Sequence, residues 1–193
     1  MIQSLTSRIS EITAHRAIRD KLSGMVINNK ALLPELMAFA FDTTNKNHFK
    51  ACWICELVFE KHIEWLQEYL NGFCNSLSKF SHESALRPIS KICLFAVEKH
   101  SKNKSGFLES KHINLITESC FDWLINPEGK VATKAYAMRA LYLLGKKDDW
   151  IYPELENILS LDFPQHSAGY QAAAKDILRK IRKYKQQADD RNS

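Results

Sequence analysis

Apolar residues recur along this chain at spacings of three and four, the helical rhythm, and strand-type alternation is absent. Breakers fall at short intervals, so the pattern predicts alternating helices of roughly 12 to 20 residues. Ile9, Ile12, Ile18 and Leu22 mark a first helix that ends near Gly24. Leu33, Leu36, Met37 and Ala40 mark a second, with Pro34 suited to its first turn. The next pair covers 49–61 and 63–77, and a third covers 86–99 and 113–125, parted by a polar stretch and closed by Asn126-Pro127-Glu128-Gly129. The fourth covers 131–144, stopped by Gly145, and 151–161. A last helix over 168–185 has no partner, and 186–193 reads as a frayed tail.

These pairs repeat. The first helices at 50–62 and 88–100 match at Ile54/Ile92, Cys55/Cys93, Glu60/Glu98, Lys61/Lys99 and His62/His100, all 38 positions apart. Two second helices match at Pro34-Glu35-Leu36 and Pro153-Glu154-Leu155, 119 apart, or three units of just under 40. The unit, from about Leu32 to Lys185, resembles the HEAT and armadillo group of helical repeats. That resemblance implies an all-α, right-handed α-α superhelix of four helix pairs plus a terminal helix. It forms one domain over 1–193, with repeats at about 7–42, 46–80, 84–126 and 130–162 and a capping helix at 168–185. One pair cannot bury its apolar face alone, and stacking makes the core continuous.

Over its whole length the chain is also similar to short bacterial proteins identified as adenylosuccinate lyase. The segments that carry this are Arg87-Pro-Ile-Ser-Lys-Ile-Cys93, Cys120-Phe-Asp-Trp-Leu-Ile125, Lys134-Ala-Tyr-Ala-Met138 and Asp149-Trp-Ile-Tyr-Pro-Glu-Leu155. The resemblance implies release of fumarate from adenylosuccinate. Lyases of that superfamily carry a Met-Pro-x-Lys-x-Asn core, whereas the four methionines here precede Ile2, Val26, Ala38 and Arg139. No lyase residue can therefore be carried over.

Composition sharpens the fold. With 6 Gly and 5 Pro in 193 residues, the chain lacks the turn residues of a sandwich or barrel. No uncharged apolar run approaches the ~18 residues of a membrane span, so none is expected. Five cysteines among apolar neighbours, an odd number, fit a reducing cytoplasm.

Charge is where function enters. The net charge of +5 is local: Lys175, Arg179, Lys180, Arg182, Lys183 and Lys185 face Asp176 alone within 175–185, leaving 21 basic and 21 acidic residues elsewhere. Arg179, Lys180, Arg182 and Lys183 suit an anionic partner such as nucleic acid, or simply the polar outer face of a solenoid cap. The second helices are acidic. Across 31–42, 63–77, 113–125 and 151–161 there is no Lys or Arg, whereas Glu35, Asp42, Glu64, Glu68, Glu118, Asp122, Glu154 and Glu156 all lie there. Second helices usually line the concave surface of this repeat group, with Arg8, Arg16, Lys50, Lys91, Lys134 and Arg139 then on outer helices. An acidic inner face would suit a basic protein or peptide through Glu35, Glu64, Glu68, Glu118, Asp122, Glu154 and Glu156. The competing reading is ordinary solvated carboxylates favoured in first helical turns.

Other candidate chemistry is thinner. Cys52-Trp-Ile-Cys55 has redox or zinc half-site spacing, but it has no second ligand pair and sits on an apolar helix face, which suits small core residues. His62 and His100 close equivalent helices, where imidazolium complements the macrodipole. Asp122-Trp123 and Asp149-Trp150 invite comparison with HEAT-like alkylpurine DNA glycosylases, which set aromatics and a carboxylate against a damaged base. That chemistry needs a basic groove. The expectation is thus a binding scaffold without metal or cofactor. Nucleic-acid binding or glycosylase-like action through the last helix and Trp150 is the alternative.

Overall fold

The computed structural model describes residues 4–103, 106–162 and 167–192. Among them are ten α-helices and no strand. These are α1 (Leu5–Glu11), α2 (Arg16–Asn28), α3 (Leu33–Phe41), α4 (His48–Lys61), α5 (Leu70–Ser76), α6 (Glu83–Lys102), α7 (Ser110–Ile125), α8 (Val131–Leu144), α9 (Ile151–Asp162) and α10 (Ala168–Asn192).

The helix pattern follows the apolar periodicity, with differences that have local causes. The single first helix is two. Ile12 turns extended at φ −70° and ψ 154°, yet Ile9 and Ile12 are both buried, so the apolar rhythm crosses a break that the hydrogen bonds do not. Gly24 then lies inside α2 instead of ending a helix. The stretch Ile63–Tyr69 is a 3-10 helix that leads into α5. Ile63, Leu66 and Tyr69 recur every third residue, which is the 3-10 period. His82 caps α6 by accepting from the Ser84 amide at 3.1 Å, so that helix starts at Glu83 and holds Pro88 in its interior. Residues 186–192, expected to fray, continue α10.

Alternate helices α2, α4, α6, α8 and α10 form one closely packed row, each against the next, and carry α3 on α4 and α7 and α9 on α8. In the second layer α5 packs on α7, but α3 and α5, or α7 and α9, do not approach comparably. Ala51, Ala85, Ala96, Ala137 and Ala140 are fully buried in the tight row, with Cys52, Cys55 and Cys93, and their small side chains let backbones approach. Two of the lysines expected on outer helices are engaged within the fold. Lys134 is only 1% exposed, with its Nζ 5.7 Å from the Tyr170 ring centroid. The Lys50 Nζ donates to the Ser10 carbonyl at 2.6 Å.

Candidate functional site

The seven carboxylates expected to bind a partner differ in their surroundings. Glu35 faces inward, where its Oε1 accepts from both the amide and the hydroxyl of Thr6 at 2.9 Å and so ties α1 to α3. Glu68 pairs with Lys30 at 2.8 Å, Glu64 with His62 at 3.1 Å and Glu156 with Lys185 at 2.6 Å. Glu118, Asp122 and Glu154 have no hydrogen-bond or ion-pair partner among the described residues, and all three are exposed.

One of these, Glu118, lines a formed recess. Glu118 and Asp122 stand one turn apart on the exposed stripe of α7, where like charges at this spacing repel. Beside them a recess of about 320 Å³ is lined by Asn114, Thr117, Glu118, Asp148 and Trp150. Trp150, just before α9, is 59% exposed and stacks on Phe121 with centroids 5.6 Å apart. Ile125, 56% exposed, ends the same stripe. At the floor the Thr117 hydroxyl is buried and lacks a hydrogen-bond partner among the described residues. The surface is thus an aromatic platform edged by free carboxylates. Phe121, Ile125, Asn114 and Thr117 escape sequence reasoning directed at charge alone, although the spacing 118, 121, 122, 125 on one helix face carries the signal.

The basic residues of α10 are largely engaged. Arg179 and Lys180 pair with Asp176 at 2.8 and 2.7 Å, and the Arg182 Nε donates to the Leu178 carbonyl at 3.4 Å. Lys183 is exposed. Trp123, the other tryptophan weighed for base recognition, is buried.

The two histidines at equivalent repeat positions have different surroundings. His62 lies on Trp65 with ring centroids 4.3 Å apart. His100 is buried, and its Nδ1 accepts from the amides of Phe107 and Leu108 at 3.1 and 3.0 Å. Burial, with the Lys147 ammonium nearby, lowers its pKa, so His100 serves as a neutral acceptor and not as a cation on a helix end. All five cysteines are free and buried. Burial raises the thiol pKa of both Cys52 and Cys55, which opposes thiolate chemistry. Among the described residues no three His, Cys, Asp or Glu side chains are grouped to hold a metal ion, and no helix is long and apolar enough to cross a membrane.

Comparison with known proteins finds no match to a curated protein or to a solved structure. The HEAT repeat domain family matches residues 2–181, nearly the full chain, in accord with the paired helices and their stacking. The chain belongs to the HEAT repeat domain family.

Proposed function

We propose that this helical-repeat scaffold is non-catalytic and binds a basic segment of a protein partner on the surface made by α7 and the start of α9. The observation that carries the reading is the pair of unneutralised carboxylates, Glu118 and Asp122, beside the exposed Trp150. A Lys or Arg side chain seated there gains an ion pair and a cation–π contact with the indole. The apolar stem of the same side chain covers Phe121 and Ile125. Glu154 extends the acidic field, while Glu35, Glu64, Glu68 and Glu156 are already occupied and contribute little.

Binding of a fluorescein-labelled Arg/Leu peptide, followed by anisotropy, tests this. The wild-type chain should bind it saturably and its Glu/Leu counterpart should not. The triple variant Glu118→Lys, Asp122→Lys, Trp150→Ala should bind about tenfold or more weakly, equivalent to about 1.4 kcal/mol. Equal binding by the variant overturns the reading. The nucleic-acid reading through α10 has less support, because its cations already meet Asp176, Glu156 and a backbone carbonyl.

A further inference from the structure

A second recess lies on the first-helix surface. It measures about 530 Å³, which is in the range of small-molecule sites. Its wall includes residues from the amino-terminal ends of three helices: Arg16 of α2, Glu83 and Ser84 of α6, and Lys130 and Ala132 at α8. Neither α2 nor α8 has a side chain capping its first amides, so both leave partial positive charge at this opening. Arg16, Arg19, Arg87, Lys91 and Lys130 line the cavity with Glu56 and Glu83, and Arg16 also pairs with the exposed Asp20 at 2.8 Å.

The carboxylates are not equivalent. Glu56 is 3% exposed and held by Arg87 at 2.6 Å and Lys91 at 3.0 Å, so it fixes those two cations in place. Glu83 is different. Its Oε2 is buried and has no hydrogen-bond partner among the described residues, and the same is true of the Arg19 Nε. Both atoms lie behind the surface of the cavity, next to the cations that line it. The Arg19 guanidinium carbon is 5.7 Å from the centroid of the Trp53 ring, so a flat cationic and aromatic surface adjoins them.

We propose that this cavity binds a nucleotide, either free or within a strand. Its phosphate ester meets Arg16, Lys130 and the uncapped helix ends. Its ring system lies against Arg19 and Trp53. A phosphate alone leaves most of the volume and the Trp53 surface unused, and an uncharged nucleoside leaves the cations unused.

Calorimetric titration with AMP, adenosine, inorganic phosphate and a thymidine 12-mer tests the proposal. AMP or the 12-mer should bind saturably, and AMP about tenfold or more tightly than adenosine or phosphate. Arg16→Ala with Lys130→Ala should weaken AMP binding by a similar factor and leave the thermal melt and the Arg/Leu peptide binding unchanged. Tighter binding by the 12-mer than by AMP identifies a strand as the source, and its affinity should fall steeply with added salt. No saturable binding by AMP or the 12-mer, phosphate binding as well as AMP, or an unaffected double variant would each overturn it.

Discussion

The Trp53 indole nitrogen donates to the Ser84 carbonyl at 2.9 Å, and Ser84 lies four residues before Pro88. In an unbroken helix that carbonyl would accept from residue 88, but proline has no N–H to give. The hydrogen bond missing within α6 is therefore supplied from α4, which makes Trp53 part of the α6 ladder as well as of the cavity wall.

Trp53→Phe should cost about 1–2 kcal/mol by leaving the Ser84 carbonyl unmet. In a Pro88→Ala background, where residue 88 can donate again, the same substitution should cost much less. Urea unfolding of the four chains gives the coupling directly. An identical Trp53→Phe cost in both backgrounds would show that the carbonyl is not what the indole serves.

Glu56 is the hub of a charge network in which Lys91 also meets Glu60 at 3.0 Å. Removing one member of such a group leaves the others desolvated without a partner. Glu56→Gln should destabilise the chain by about 2–3 kcal/mol, somewhat below a fully buried pair because Arg87 is 36% exposed. Chemical denaturation at raised salt should recover little of that loss, whereas a surface pair would lose its contribution there.

Gly145 ends α8 with an ordinary φ of −63°, so its requirement is space. A Cβ here would overlap the Tyr152 ring. That ring is pinned, because its hydroxyl donates to the Tyr142 carbonyl at 3.0 Å and its edge meets Tyr184 at a centroid distance of 5.5 Å. Gly145→Ala is expected to lower stability by about 1–3 kcal/mol despite the better helix propensity of alanine. Adding Tyr152→Ala should remove the clash, so the pair should cost less than the sum of its parts in thermal melts.

Burial lowers the pKa of His48, His100 and His112 below the usual histidine value near 6.5. They stay neutral in the fold over a range where the unfolded chain takes up protons. The stability they contribute is complete above about pH 6.5 and is lost as pH falls below it. The urea midpoint should drop between pH 7.5 and 5.5. His100→Asn, which keeps an acceptor for the Phe107 and Leu108 amides, should lessen the drop. A flat profile across that range would contradict this assignment.

Periodicity was enough to read the helix pairs and their repeat, because burying one face of each helix leaves a pattern within a dozen residues. It missed the break after α1, since Ile9 and Ile12 keep the rhythm while the backbone leaves the helix. The α7 site was half legible: Glu118, Asp122 and Trp150 stand out by type, but their freedom from partners depends on where Lys30, His62 and Lys185 reach. The first-helix cavity joins residues more than thirty positions apart, such as Glu56 and Arg87. One trace of it is in the sequence, because Trp53 and Lys91 differ by the same 38 that relates the repeated helices.

The unequal spacing of the two helix layers has a mechanical consequence. The row from α2 to α10 is packed helix against helix along its length, whereas α3, α7 and α9 are held mainly by the row beneath them. Bending should thus alter the approach of α9 to α7, and with it the mouth of the Trp150 recess, while the cavity at Trp53 keeps its shape.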